Sequence, residues 1–526
     1  MGVAEDIAAE IEAICDYAAV HGLLAWDDRI WAYNSVLSAI GHTGPGPQDA
    51  WALAENAEDP AVSPAASSDV PDKLMADLAE HAIAAGKEEN TASGRDRIAM
   101  EIIGLLMPRP SEIAKKFADL RSTKGAQAAT DWFYSLCCDA GYVRRSAIAR
   151  NICWTHESAY GPLEITINLS KPEKDPREIA AAGKAPAGEK YPACQLCIEN
   201  EGYAGRPASD AFGAHPARQN LRIIPIELGH ERWGFQYSPY AYFNEHCIAM
   251  SAHHRPMHVD RASLSCLLDF VDLFPHYFIG SNADLPIVGG SILSHDHYQG
   301  GRHEFAMMKA ETAETFEVPG YPDIKGEVLK WPLSVLRLTS QNRGQMLDAA
   351  EHIITCWRAW SDPDLGIISH DENGAHNTVT PIVRKHDGTY EAYLALRCNI
   401  TSKNHPLGVF HPHEQWHHIK RENIGLIEVM GLAILPPRLA PELKRTEELL
   451  LKGASLEELR QDELASAHAV WAKGLAQAHP ELAEDNIQAI VKDAVGEVFS
   501  HVLEDAGVFK WDEAGRAGQM RFIASL

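Results

Sequence analysis

Residues 294–301 read Ser-His-Asp-His-Tyr-Gln-Gly-Gly, and the spacing of their side chains indicates the chemistry of the chain. On an extended strand, side chains two positions apart project from the same face. His295, His297 and Gln299 therefore form one row of two imidazoles and an amide, behind a Gly289-Gly290-Ser291 turn. This spacing favours a functional strand over a loop of unrelated polar residues.

The chemistry that suits this row is nucleotidyl transfer. An imidazole is largely neutral near pH 7, it is nucleophilic, and its phosphoryl adduct is labile enough to pass the group on. The glycines let backbone N–H groups approach phosphate oxygens, and Gln299 can donate to the transferring phosphoryl group. The spacing alone does not decide which histidine attacks.

Composition excludes several classes of partner. The chain has 526 residues, and its formal charge is 47 − 73 = −26. An acidic surface repels nucleic acid and anionic lipid, although a local site can still bind a small phosphorylated ligand. The sequence has no apolar run long enough for a bilayer, and its acidic start lacks the basic region of a signal peptide. We therefore expect a cytoplasmic protein with no nucleic-acid or membrane partner.

The first part of the chain predicts helices. Ile7, Ile11, Ile14 and Tyr17 form a helical stripe that Gly22 can end. Residues 43–72 are rich in Pro and Gly, which predicts a loop insertion. Residues 1–155 are therefore interpreted as a helical N-terminal region.

Two strand-rich stretches follow, and we place them in residues 156–330 and 331–526. The first contains the row described above, and the second, from Asn377 to Val409, runs into His411-Pro412-His413. Two halves with a His-x-His turn each predict an internal duplication. The tail from 440 to 505 has a helical composition, so the expected fold class is α+β with C-terminal helices in the second half.

One cysteine pair predicts a metal site. Most of the ten cysteines are scattered, but Cys194 and Cys197 have the spacing of two ligands to one ion. A closed tetrahedral zinc site needs two further ligands. The sequence offers His254 and His295, with His253 as the competitor for the third position.

The His-x-His-x-Gln motif resembles that of the histidine-triad superfamily. The wider match is to the second, longer class of bacterial galactose-1-phosphate uridylyltransferases. It rests on residues 165–175, 218–222, 291–304, 375–378 and 410–431. The resemblance covers most of 1–45 and 95–440. It implies two histidine-triad-like halves, each an antiparallel sheet with flanking helices.

The resemblance also implies an activity. UDP-glucose donates UMP to a histidine and glucose 1-phosphate leaves; galactose 1-phosphate then takes UMP, giving UDP-galactose. Carried onto this chain, His297 is the nucleophile and Gln299 holds the phosphoryl group. The family's proline between the histidines is Asp296 here, whose carboxylate would point to the opposite face and have a structural role.

Several residues are candidates for binding the substrates. Asn282, Gly290 and Ser291 precede the histidine row, and arginine matches phosphate geometry in a bidentate way. For His376, a phosphate or sugar contact and a turn-capping role are both open. The substrate-binding set comprises Asn282, Gly290, Ser291, Arg218, Arg222, His376, Arg397 and His413.

For metals, the resemblance implies one structural zinc held by Cys194, Cys197, His254 and His295. The better-known class also carries an iron-type site, to which His411 and His413 correspond. Residues 396–399 contain no histidine, which argues against a second metal. His411 and His413 are left with two interpretations, contact with substrate phosphate or a structural role.

Two alternative functions remain at this stage. A histidine-triad hydrolase or phosphorylase would use the same nucleophile and pass the nucleotidyl group to water or phosphate. A non-catalytic, zinc-stabilised nucleotide-binding protein would need neither His297 nor Gln299. The choice between galactose 1-phosphate and its N-acetylated relative stays open, as does the oligomeric state; the better-known class forms dimers.

Overall fold

The computed structural model describes residues 3–55, 71–170, 191–290, 292–372 and 374–526. No helix in these ranges is long and apolar enough to cross a membrane. The loop insertion expected at 43–72 falls partly outside the described residues, and so does Ser291. The described part of that insertion contains a short helix before residue 56.

The N-terminal region is helical. Ile7, Ile11 and Ile14 are buried along the first helix. Gly22 follows that helix at φ +67°, a left-handed conformation that glycine adopts without steric cost. The described helices of this region are α1 Val3–Val20, α2 Arg29–Ala39, α3 Ala50–Glu55, α4 Asp72–Ala84, α5 Ala92–Leu105, α6 Pro110–Lys124, α7 Ala126–Asp139 and α8 Arg145–Ile148.

The rest of the chain mixes strands and helices, which confirms the α+β class. Its strands are β1 Ile152–Ser158, β2 Gly161–Ile167, β3 Ile224–Leu228, β4 Glu231–Tyr237, β5 Cys247–Ser251, β6 Phe278–Gly280, β7 His297–Gly301, β8 Thr312–Glu317, β9 Lys325–Leu329, β10 Val335–Ser340, β11 His370–Asp371, β12 Gly374–Ala375, β13 Asn377–His386, β14 Thr389–Cys398 and β15 Leu432–Leu435. The described helices are α9 Arg261–Leu273, α10 Ala306–Lys309, α11 Arg343–Ala359, α12 Leu426–Val429, α13 Leu439–Leu451, α14 Leu456–Gln461, α15 Ala469–Ala478, α16 Ile487–Ala506 and α17 Glu513–Ala524.

The main sheet is built from two five-stranded units with the same topology. Its strand order is β3-β4-β5-β7-β6-β13-β14-β10-β9-β8, and every neighbouring pair is antiparallel. In each unit three strands are followed by one long helix, α9 or α11, and then by two more strands. The outer strands β6 and β13 join the units edge to edge. This shared topology supports the internal duplication.

Strand pairing separates the two five-stranded units between residues 301 and 312. The reason is hydrogen bonding: β8 pairs with β9, and β9 pairs with β10. The hairpin of residues 312–329 therefore belongs to the second unit.

The two faces of the main sheet carry different cores. Val379 and Val383 of β13 pack in the core that includes α9 and α11. Ile382 projects from the other face, into the core that includes β2 and α16. Cross-strand pairing places Gln299 opposite Gly280, and Gly280 opposite Ile382. Directly paired residues share a face, so the row containing Gln299 lies on the face of Ile382.

A small three-stranded sheet packs over that second face. β1 pairs antiparallel with β2, and β15 pairs in parallel with β2. The segment leading to β15, residues 410–431, is thereby held above the main sheet.

Candidate active site

The nucleophile predicted from the sequence begins β7. The Nδ1 atom of His297 lies 2.7 Å from the backbone oxygen of His295. Because a carbonyl oxygen only accepts, Nδ1 carries the proton and Nε2 keeps its lone pair. Burial lowers the pKa of His297, which also favours the neutral ring. The geometry therefore leaves Nε2 with a free lone pair.

The four side chains predicted to bind a metal come together. One ligand atom from each of Cys194, Cys197, His254 and His295 lies within 4.8 Å of the others. The Sγ of Cys194 is 3.2 Å from Nδ1 of His295, and the Sγ of Cys197 is 3.6 Å from Nδ1 of His254. Two thiols and two imidazoles in one group are a donor set for a single metal ion.

The tautomer of His295 fits a metal ligand. Its Nε2 donates to the backbone oxygen of Ser251 at 2.9 Å, which leaves Nδ1 unprotonated and facing the cysteines. Such a hydrogen bond fixes the ring of a ligating histidine. His253, the competitor for the third position, is absent from the group found among the described residues.

Asp296 lies between the two histidines and interacts away from the row. Its Oδ2 is 3.4 Å from Nε of Arg255, its backbone N–H donates to the Arg255 oxygen, and its own oxygen accepts from Ser251 N–H. These contacts agree with the structural role expected for Asp296.

A cleft of about 680 Å³ opens in front of His297 and Gln299. Arg218, Asn282 and Gly290, three of the predicted substrate-binding residues, line it. Residues 420–434 of the second half form the opposite wall. The cleft residues that the sequence analysis did not select include Gln195, Gln236, Tyr240, Tyr242, His246, Lys420, Asn423 and Glu428.

Two of the selected arginines do not line the cleft. Arg222 donates to the backbone oxygens of Pro108 and Gln219. Arg397 is 1% exposed and donates to the oxygen of Ile424, just before the wall segment. Both guanidinium groups satisfy backbone carbonyls, and Arg397 supports the cleft wall from behind.

Two of the selected histidines also lie away from the cleft. Nδ1 of His376 is 2.8 Å from Oδ1 of Asn399. Nδ1 of His413 lies 3.2 Å from Oδ1 of Asp505, and its Nε2 is 3.1 Å from the Val409 oxygen. These contacts support the structural interpretation of both residues.

The second His-x-His does not form a second metal site among the residues that the structure describes. Nε2 of His411 is 3.2 Å from Oδ1 of Asn423, which lines the cleft. His411 therefore contacts the side chain of a cleft residue and does not line the cleft itself.

His246 and Lys420 are the functional candidates that sequence reasoning passed over. His246 directly precedes β5, and only the pairing of β5 with β7 brings it beside Gln299. Lys420 is 4% exposed and forms an ion pair with Glu428. The signal available in the sequence was the position of Lys420 just after the His417-His418 pair.

Comparisons with known proteins agree with the geometry. The family model "Galactose-1-phosphate uridyl transferase, N-terminal domain" matches residues 53–256, and the corresponding C-terminal domain matches residues 270–473. Relatives named galactose-1-phosphate uridylyltransferase occur in Clostridium acetobutylicum, at 44% identity over 98% of this chain and 99% of the relative, and in Bacillus subtilis, at 43% identity over 99% and 98%. A Streptococcus mutans relative of the same name is 48% identical over 86% of this chain and 89% of its own.

Among solved structures, the crystal structure of yeast Ap4A phosphorylase Apa2 matches 67% of this chain and 93% of that one, at 11% identity and a TM-score of 0.31. A TM-score of that size is too low to assign a fold.

Proposed function

The chain belongs to the galactose-1-phosphate uridyl transferase family, and from that membership we propose how its cleft residues carry the transfer. The protein is a nucleotidyltransferase that acts with UDP-glucose and galactose 1-phosphate. The observation that carries the proposed route is the hydrogen bond between His297 Nδ1 and the His295 oxygen, because it leaves Nε2 free to attack.

In the first half-reaction, Nε2 of His297 attacks the α-phosphorus of UDP-glucose. The N–P bond forms as the bond from that phosphorus to the bridging oxygen breaks, and glucose 1-phosphate leaves with the electron pair. Gln299 donates a hydrogen bond to an oxygen of the transferring group. The His295 carbonyl oxygen, which accepts from Nδ1, stabilises the positive charge that the His297 ring carries in the adduct.

In the second half-reaction, a phosphate oxygen of galactose 1-phosphate attacks the same phosphorus. The N–P bond breaks, its electron pair returns to Nε2, and UDP-galactose leaves. Arg218 lines the cleft and would neutralise phosphate charge there, and Asn282 and Gly290 line the same cleft.

A zinc ion held by Cys194, Cys197, His254 and His295 would supply a structural constraint. Fixing the His295 side chain would also fix its backbone oxygen, which accepts the Nδ1 proton of His297. The donor set of two thiolates and two neutral imidazoles suits zinc.

Isotope exchange tests the route. In the absence of galactose 1-phosphate, label from glucose 1-phosphate should enter UDP-glucose, because the first half-reaction is reversible on its own. The His297→Ala variant should show no exchange and no uridylyl-protein when supplied with UDP-glucose labelled in UMP. Label retained on His297→Ala would show that another residue is the nucleophile. Release of free UMP without sugar phosphate would indicate a hydrolase.

A further inference from the structure

The imidazole of His246 touches the amide of Gln299 inside the cleft wall. Its Nε2 lies 3.1 Å from Oε1 of Gln299, and the residue is 2% exposed. His246 directly precedes β5, and Gln299 lies on the neighbouring strand β7, where Cys247 pairs with Gly300. Both line the cleft that contains His297.

We propose that His246 is a positioning residue that turns the NH₂ group of Gln299 toward the transferring phosphoryl group. The proposal rests on the role given to Gln299 above. It assigns a separate task to a residue that takes no part in bond making or breaking.

The protonation of His246 decides which way the amide points. Burial lowers the pKa of His246 to about 4, so at neutral pH the ring carries one N–H. If that N–H is on Nε2, it donates to Oε1 of Gln299, and Nδ1 keeps only a lone pair. If it is on Nδ1, a buried N–H is left without an acceptor, since Nδ1 has no partner among the described residues. Buried N–H groups without an acceptor are rare in folded proteins, so the first arrangement is favoured.

This arrangement leaves the amide nitrogen of Gln299 as a free donor. With Oε1 occupied by His246, the NH₂ group is directed away from the imidazole. Among the described residues, no hydrogen bond from that nitrogen is formed. An amide fixed in this orientation supplies a preorganised donor to developing phosphoryl charge.

The ring of His246 is held in place by its neighbours. It lies 4.6 Å from the ring of Phe243 and stacks on Tyr242 at 5.4 Å. Its backbone oxygen accepts from Ser238 N–H at 2.7 Å. The preceding Glu245 adopts φ +54°, in the left-handed region, and its carboxylate accepts from the Tyr277 hydroxyl. The imidazole is therefore held in one position, from which it can orient the amide of Gln299.

Three substitutions of His246 separate the effect of its N–H donor from the effect of its aromatic ring. His246→Phe retains an aromatic ring without an N–H; His246→Gln places an amide N–H near the former Nε2; His246→Asn is one methylene shorter and falls short of Oε1. The rate of uridylyl-His297 formation in a single turnover should fall about 10- to 100-fold in His246→Phe and in His246→Asn. His246→Gln should recover most of that loss, with little change in the KM for UDP-glucose.

Repeating the series in a Gln299→Ala background gives the readout that a merely structural role would not change. There, His246→Phe should slow the reaction by less than about twofold, since residues acting through one contact are not additive. Equal slowing in both backgrounds, or no rescue by glutamine relative to asparagine, would overturn the inference. A wild-type enzyme that forms no uridylyl-His297 would overturn the proposed function instead.

Discussion

Gly300 shows how a single residue sets the position of the catalytic strand. A Cβ atom at Gly300 would lie 2.2 Å from the backbone oxygen of Phe278 on β6. Real Cβ atoms do not approach an oxygen that closely, so β6 and β7 can pair at this distance only if residue 300 has no side chain. A glycine in this motif could also serve to let backbone N–H groups approach phosphate. Gly300, however, is explained by strand packing.

Gly300→Ala should therefore destabilise the fold and slow the chemistry together. Forcing a methyl group into a packed position costs about 1–3 kcal/mol, and the strain falls on the strand that carries His297. Urea unfolding and the rate of uridylyl-protein formation are the measurements.

Gly474→Ala is the matched control for that substitution. A Cβ at Gly474 meets nothing within 4 Å, and the residue lies inside α15. Alanine is favoured over glycine inside a helix by about 0.5–1 kcal/mol, so this variant should be as stable as the wild type or more so. Equal loss in both variants would remove strand packing as the explanation.

The predictable residues are those whose role depends on spacing within a short segment. His297, Gln299 and the Cys194–Cys197 pair could be selected because the motif carries them. Arg222 and Arg397 were selected for their affinity for phosphate, but the same guanidinium donors also suit backbone carbonyls. Only the fold shows which acceptor each arginine meets.

The connection between β6 and β7 gives the first unit the candidate site residues that the second unit lacks. Residues 281–296 form this connection and contain Asn282, Gly290 and His295. The equivalent connection between β13 and β14 is the two-residue turn Asp387-Gly388, with φ of +47° and +79°. The duplication therefore preserves the strands but lengthens only one hairpin.

The second His-x-His is not the counterpart of the first. His295 and His297 lie at the entry to β7, whereas His411 and His413 follow β14, outside the main sheet. The paired histidines were part of the basis for predicting the duplication. The shared strand order supports the duplication, and its alignment could not be read from the motifs because strand register is a tertiary property.

The four metal-ligating side chains connect two other segments to the strand that carries His297. They join the segment of residues 194–197, the exit of β5 at His254 and the entry to β7 at His295. Removing one ligand should release this connection. In Cys194→Ser we expect metal content to fall from about one ion per chain toward zero, and the rate of uridylyl-His297 formation to fall with it.

Cys153→Ser and His253→Ala are controls for the metal prediction. Cys153 is an exposed free cysteine, and His253 lies beside a ligand without belonging to the group. Both variants should retain the metal, as measured by elemental analysis. Loss of metal in His253→Ala with retention in a His254→Ala protein would exchange the assignments of the two histidines.

At the scale of the whole molecule, the cleft exists because the two halves meet across it. The wall opposite His297 comes from residues 420–434, which Arg397 and the β2–β15 pairing hold above the sheet. Oδ1 of Asn282, in the first half, accepts from the backbone N–H of Leu426 at 2.9 Å. This hydrogen bond joins the two halves at the lining of the cleft.

Two substitutions of Asn282 should separate stability from binding. Asn282→Ala leaves the buried Leu426 N–H unpaired, which should cost about 1–3 kcal/mol of unfolding free energy. Asn282→Asp retains an acceptor, so it should lose less stability, but it adds a negative charge beside the diphosphate. Like charges about 4 Å apart near a protein surface repel by up to ~4 kcal/mol, so the KM for UDP-glucose should rise at least about tenfold. Urea unfolding and isotope exchange measure the two effects. If Asn282→Asp were as unstable as Asn282→Ala and bound UDP-glucose normally, Asn282 would neither join the halves nor face the substrate.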